Sequence, residues 1–183
     1  MKTLPTSRLR GVTPCLAAWA ILPVSIIALI SSLTPNPVVL WNRSPSEPEG
    51  LYVRTGTFPL PGNIIAFHAP PQVFPYADAR MGYLHHIPIL KSVGAGEGQS
   101  VCTDGGKLVI DGNVVASIQS FDSHGDRLPT WHGCQVLRVG EVFVFSARIP
   151  NSFDSRYYGP IKTDQILGVF RPLVAPATSG RNP

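Results

Sequence analysis

Asn42-Arg43-Ser44-Pro45-Ser46-Glu47-Pro48-Glu49-Gly50-Leu51-Tyr52 is the stretch on which the reading of this chain turns. Pro45 and Pro48 fix φ at two positions and push Ser44 and Glu47 toward extended conformations, which predicts a stiff, non-helical ribbon. In an extended ribbon residues i and i+2 share a face, so the hydroxyls of Ser44 and Ser46 are expected on one edge, with Gly50 permitting close backbone approach. Ser46 is then a candidate nucleophile. The competing reading of the same residues is a Ser/Pro/Glu spacer, because turn-rich polar linkers are common.

Upstream of this stretch, Cys15 to Leu33 runs without a charge. As a helix at ~1.5 Å per residue it reaches about 28 Å, close to a hydrocarbon core of ~30 Å. Lys2, Arg8 and Arg10 precede it and Arg43 follows, so the positive-inside rule predicts a cytoplasmic N-terminus over 1–14, a single transmembrane anchor over 15–33, and everything downstream outside. A cleaved signal peptide competes with this, yet Thr34-Pro35-Asn36-Pro37 offers no Ala-x-Ala-like site. Pro23 is expected to kink the helix.

Downstream, residues 34–174 are long enough for one domain with its own core, and 175–183 reads as a flexible tail. The chain of 183 residues carries 19 prolines and 17 glycines, with Val, Ile and Phe in short runs, which predicts a mainly β fold. Strands are expected at 51–54, 64–67, 86–93, 135–139, 142–146 and 166–170. A hairpin is expected over 101–116 with Asp111-Gly112-Asn113 at its tip, and a surface loop, neither helix nor central strand, over the proline-rich 68–83. Three of the 15 basic residues precede position 43 and all 11 acidic residues follow it, so the domain itself is almost neutral despite a net charge of +4. Nucleic acid is excluded as a partner on that ground.

Two further pieces carry chemistry. Lys91 stands among Ile87, Ile89, Leu90 and Val93; burial there lowers an ammonium pKa and can leave an amine able to take a proton from a serine. A lysine whose stem packs on apolar surface while its amine reaches water is the alternative. Asn151 to Gly159, if extended, places Ser152, Asp154 and Arg156 on one face, an acid between a hydroxyl and a guanidinium. The five histidines show neither an HExxH pattern nor a repeated spacing, so no metal site is expected. Cys102 and Cys134 both fall in the outer domain and can pair or remain free thiols; a bridge closing such a loop adds on the order of 3 to 4 kcal/mol.

The three pieces together resemble the membrane-anchored serine-lysine (type I) signal peptidases, and in detail their conjugative-transfer TraF-type branch. Asn42 to Tyr52 is similar to that branch's N-x-S-x-S-x-P-x-G-L-Y box, Lys91 to Gln99 to its lysine box, and Ser152 to Gly159 to its S-x-D-S-R-Y-x-G box. Gln99 and Asn63 stand where the family usually or often has aspartate. The resemblance implies a domain of coiled antiparallel sheets at the periplasmic face of the bacterial inner membrane. It makes Ser46 the nucleophile and Lys91 the general base, with Ser44 and the Ser46 N–H around the oxyanion. Ser152 is expected to hydrogen-bond the Lys91 amine and Asp154 to pair with Arg156; the resemblance also places Asp154 in the catalytic set. No cofactor is implied. The implied substrate is a preprotein, in this branch the prepilin of a conjugative or type IV secretion pilus, with the transfer or secretion apparatus as a partner. A general signal peptidase and a non-catalytic anchored β-domain assembly subunit are the alternatives. Ser46 lies thirteen residues past Leu33, so its tether reaches about 43 Å at most and the site is expected near the membrane boundary.

Overall fold

The computed structural model describes residues 36–173. The expected anchor at 15–33 and tail at 175–183 therefore lie outside the described residues, and among the described residues no helix is long and apolar enough to cross a membrane. The chain divides after Val38, and the architecture below is that of the unit beginning at Val39.

Eleven strands build two antiparallel sheets. The larger uses β1 (Val39–Asn42), β2 (Gly50–Thr55), β3 (Ile64–Phe67), β4 (Ile89–Ala95), β9 (Glu141–Val144), β10 (Ile161–Lys162) and β11 (Ile166–Pro172), in the order β1-β2-β11-β3-β4-β9-β10. The smaller uses β5 (Ser100–Asp104), β6 (Lys107–Ile110), β7 (Asn113–Ser117) and β8 (Gly133–Val136), in the order β7-β6-β5-β8. A mainly β fold is thus what the composition predicts, and antiparallel sheets are what the resemblance implies. Two short helices interrupt it, α1 (Tyr76–Arg80) and α2 (Ser155–Tyr158).

Several expectations are corrected. The Ser44–Ser46 stretch is not an extended ribbon: Trp41 pairs with Leu51 and Asn42 with Gly50, so residues 43–49 form the loop of a β1–β2 hairpin that the sequence reading did not contain. Gly50, opposite Asn42, has φ 134°, a conformation glycine adopts at little cost. The proline-rich 68–83 is not a plain loop but α1 flanked by 3-10 turns at Pro71–Val73 and Gly82–His85. The hairpin expected over 101–116 is a three-stranded meander, because Asp104 and Lys107 close a second turn before Asp111-Gly112 closes the third strand.

Strand alternation explains the core. Ile65 and Phe67 of β3, with Ile89 and Val93 of β4, face the largest apolar cluster, which also takes Val144 of β9 and both tyrosines of α2. Ala66 and Leu90 face the other way, onto Tyr52 and Phe170. A third cluster, around Val101, Leu108, Leu137 and Phe143, joins the smaller sheet to β9. The β4–β9 register slips between Val93 and Ala95, leaving Gly94 in an irregularity where an added Cβ would lie 2.2 Å from the Phe145 ring. Cys102 and Cys134 face each other across β5 and β8 and form a disulfide.

Candidate active site

Lys91 occupies a position that period-two alternation reserves for an apolar side chain. It lies between Ile89 and Val93 on one face of β4 and is paired with Ile65 of β3, so its stem runs into the largest core cluster. Lys91 is 5 % exposed and Ser46 1 % exposed, and Lys91 Nζ donates to Ser46 Oγ at 2.5 Å. Burial pushes the Lys91 amine below its ordinary value; the charges of Asp154 and Glu47 oppose the shift, and that of Arg156 adds to it.

The loop that presents Ser46 is folded by Asn42. Its side-chain amide donates to the carbonyls of Ser44, Glu47 and Pro48 at 2.9, 3.1 and 3.0 Å, while its Oδ1 accepts the Ser44 N–H at 3.0 Å. One buried amide thus supplies the partners that a strand ladder would otherwise give to these backbone groups. The Tyr52 hydroxyl adds a bond to the Pro48 carbonyl at 2.7 Å. Inside this loop Ser44 Oγ lies 2.9 Å from Ser46 Oγ and accepts the Ser46 N–H at 3.4 Å. The two hydroxyls are adjacent, as the ribbon reading expects, but a turn brings them together.

Glu47 points away from the groove and inward. Its Oε1 accepts the N–H of Ser92, the residue after Lys91, at 2.7 Å, which ties the serine loop to β4. Burial raises the Glu47 carboxyl above its usual range, against the lowering influence of the Ser92 bond and of Lys91 and Arg148.

Residues 151–159 are not one extended segment: Asn151 lies in a turn, and Asp154, itself extended, caps α2 and accepts the Arg156 N–H. Asp154 and Arg156, both 0 % exposed, form a two-pronged pair, Nε to Oδ1 at 2.8 Å and a terminal guanidinium nitrogen to Oδ2 at 2.9 Å. The rest of the guanidinium donates to the carbonyls of Ser117, Pro150 and Ser152, so this buried charge has partners on several sides. Among the described residues, the four hydrogen bonds of the Asp154 carboxylate all go to Arg156 and Ser146. It bonds neither Ser46 nor Lys91, and its influence on the amine is through space. Ser152 lines the same groove as Ser46 and Lys91, but the hydrogen bond expected between Ser152 and the Lys91 amine is absent: Ser152 Oγ is buried without a partner, because Nζ is turned to Ser46.

That groove has a volume of about 530 Å³ and is mostly apolar, walled by Leu40, Met81, Leu84 and Ile89, with Ser44, Ser46, Lys91 and Ser152 among its polar lining residues. Trp41, Tyr83 and Ile87 also line it and are more than half exposed. Among the described residues no group of His, Cys, Asp or Glu is placed to hold a metal ion. Gln99 and Asn63, the two departures from the resembled boxes, both serve turns: Gln99 accepts the Gly96 N–H and donates to Asp111, and Asn63 accepts the Leu60 N–H.

The family model described as signal peptidase, peptidase S26, matches residues 12–174. The chain belongs to this family. Among relatives, the conjugal transfer protein TraF of Agrobacterium fabrum is 34 % identical over 143 residues, covering 72 % of this chain and 80 % of the relative. A probable conjugal transfer protein TraF of Sinorhizobium fredii is 32 % identical over 176 residues, covering 90 % and 91 %. A plasmid transfer protein TraF of Escherichia coli is 28 % identical over 144 residues, covering 73 % and 81 %. Of solved structures, a signal peptidase I from Enterococcus faecalis V583 matches with 20 % identity and a TM-score of 0.38, over 63 % of this chain and 98 % of that one. Membership of the S26 family makes a peptidase role the coarse function of this chain.

Sequence reading of this S26 chain missed Ser146, Arg148 and the structural work of Asn42. Ser146 Oγ donates to the Ser46 carbonyl at 2.5 Å, and Arg148 Nε donates to the Pro45 carbonyl at 3.4 Å. Their partners lie 100 and 103 residues away in sequence, where no local pattern could point to them.

Proposed function

We propose that this chain is a membrane-anchored serine endopeptidase that removes the signal sequence of a preprotein, the prepilin of a conjugative pilus, by a Ser46–Lys91 dyad. The observation that carries the reading is the 2.5 Å bond between Lys91 Nζ and Ser46 Oγ inside an apolar wall. Burial lowers the pKa of a lysine held there and so favours its neutral form, whose lone pair takes the Ser46 proton as Oγ attacks the scissile carbonyl. The resulting ammonium returns that proton to the departing amine, leaving an ester on Ser46. Water, deprotonated by the same amine, then hydrolyses the ester. The Ser46 N–H and the Ser44 hydroxyl stabilise the oxyanion, whose oxygen displaces the contact these two groups make with each other in the free enzyme.

Asp154, expected in the catalytic set, is here a support: with Arg156 it holds the 152–156 segment, and Ser152 provides a buried hydroxyl on the groove wall. The apolar groove suits an extended peptide with small residues before the cut. Its exposed lip of Trp41, Tyr83 and Ile87 suits the membrane–water boundary, where residues 15–33 would anchor the 34–174 domain on the periplasmic side. The TraF-named relatives support a conjugative substrate.

The test is cleavage of a co-expressed prepilin in membranes by wild type, Ser46→Ala and Lys91→Ala, each checked for normal insertion. Loss of cleavage in both variants is expected. Processing that persists in either one removes that residue from the dyad.

A further inference from the structure

Ser146 lies outside all three boxes, just past the end of β9, and is 3 % exposed. Its hydroxyl donates to the Ser46 carbonyl at 2.5 Å and accepts the Arg148 N–H at 3.2 Å, so its rotor is fixed from both sides. Its own N–H donates to Asp154 Oδ2 at 3.1 Å, which joins it to the buried Asp154–Arg156 pair. The chain of bonds therefore runs from that rigid pair, through one serine, to the backbone of the candidate nucleophile.

We infer that Ser146 is a positioning residue that, together with Arg148, sets the two peptide planes on either side of Ser46 and so aims its Oγ and N–H. In a planar trans peptide the C=O and N–H point in opposite directions. Arg148 Nε holds the Pro45 carbonyl, so the N–H of the same unit, that of Ser46, is directed away from Arg148 and toward Ser44 Oγ. Ser146 holds the next carbonyl, and the Glu47 side chain anchors the following residue to Ser92 beside Lys91. With both planes fixed, χ1 is the main freedom left to Ser46, and the rotamer observed points Oγ at Lys91 and Ser44. A loop tethered only by Asn42 would leave those planes free to rock about Cα, and a displacement of about 1 Å at the reacting atom can cost on the order of 100-fold in rate.

This inference rests on Ser46 being the nucleophile, and the experiment separates the two. Full-length protein in detergent is treated with a serine-directed acylating probe, and acylation rate, kcat and KM on a signal-peptide substrate, the pH profile and the thermal transition are measured. The variants are Ser46→Ala, Ser146→Ala and Ser146→Cys. Ser146→Ala is expected to acylate roughly 100-fold more slowly, with KM within about twofold of wild type and the acid limb of the pH profile unmoved, since the surroundings of Lys91 are intact. Ser146→Cys keeps the size with a weaker donor and is expected to fall between. If Ser46→Ala is still acylated, the nucleophile is misassigned. If Ser46→Ala is inert and either Ser146 variant acylates at the wild-type rate, the positioning role is overturned while the dyad stands. A loss in both Ser146 variants that only tracks the folded fraction also overturns it, leaving Ser146 a purely structural role.

Discussion

Replacing Lys91 by methionine should destroy cleavage and yet make the domain more stable. The ammonium sits on a strand face with Ile65, Ile89 and Val93, and only 5 % of the residue is exposed. Methionine keeps the length of the stem and removes the polar head. The variant loses the bond to Ser46 Oγ, worth about 1 kcal/mol, but Ser44 Oγ remains as a partner for that hydroxyl. Burying a polar head group costs about 1–3 kcal/mol, so after loss of that bond a net stabilisation of up to about 2 kcal/mol is expected at neutral pH. At about 4 °C per kcal/mol for a domain of this size, the melting temperature should rise by up to roughly 8 °C. The pH dependence is the sharper part of the prediction. Burial holds the folded-state pKa of Lys91 below its ordinary value, so between those two values the unfolded chain binds a proton that the folded one does not. The corresponding stability is fully present above about pH 10.4 and is lost as pH falls through the folded pKa, with a slope approaching 1.4 kcal/mol per pH unit at about 25 °C. Lys91→Met lacks this dependence, so its advantage should widen as pH falls across that window. Urea melts of both proteins from pH 6 to about 10 measure it. A variant that is less stable than wild type at pH 7, with a parallel pH dependence, would refute the claim that burial lowers the pKa of this lysine.

Asp154→Asn breaks a buried, two-pronged pair and leaves the Arg156 guanidinium uncompensated, which should cost about 3–5 kcal/mol in chemical denaturation. Because Asp154 hydrogen-bonds neither Ser46 nor Lys91 but its charge raises the Lys91 pKa, the acid limb of the variant's pH profile should move to lower pH while the activity above that limb follows the folded fraction; a fully folded variant that is inactive there would return Asp154 to the catalytic set. Gly94→Ala drives a methyl to 2.2 Å from the Phe145 ring and should lower stability by about 1–3 kcal/mol, read as a reduced denaturation midpoint with unchanged m-value. Replacing Cys102 and Cys134 together by alanine should cost about 2–4 kcal/mol and, since both lie in the smaller sheet, leave kcat near wild type at temperatures where the protein stays folded.

Much of this arrangement is legible in the residues because it rests on local chemistry. Strand 64–67 follows from a short apolar run behind the Pro61-Gly62-Asn63 turn, the Asp111-Gly112 turn from turn preference, and the pairing of Asp154 with Arg156 from charge and spacing. The β1–β2 hairpin was not legible, because Val39 to Asn42 precede a proline-rich stretch that reads as a linker. What turns it into a loop is the Asn42 side-chain amide folding back on three carbonyls two to six residues ahead, a side-chain conformation that no residue pattern announces. The helix at Ser155–Tyr158 was hidden by its brevity: it exists because Asp154 caps it and because Tyr157 and Tyr158 bury into the core, and neither effect has a period that a sequence window can detect. Ser146 was invisible for the plainest reason, since a serine at a strand end is unremarkable until its partner is known.

Strand β11, the last described element, lies between β2 and β3 in the middle of the larger sheet and pairs with both. Two strands formed from the first half of the chain therefore have no neighbour on one side until the final segment arrives. The groove shares that dependence, because Ser146 and Arg148, which hold the backbone on either side of Ser46, lie 100 and 103 residues from their partners, so the loop over 43–49 takes its final shape only once β9 and the segment after it are in place.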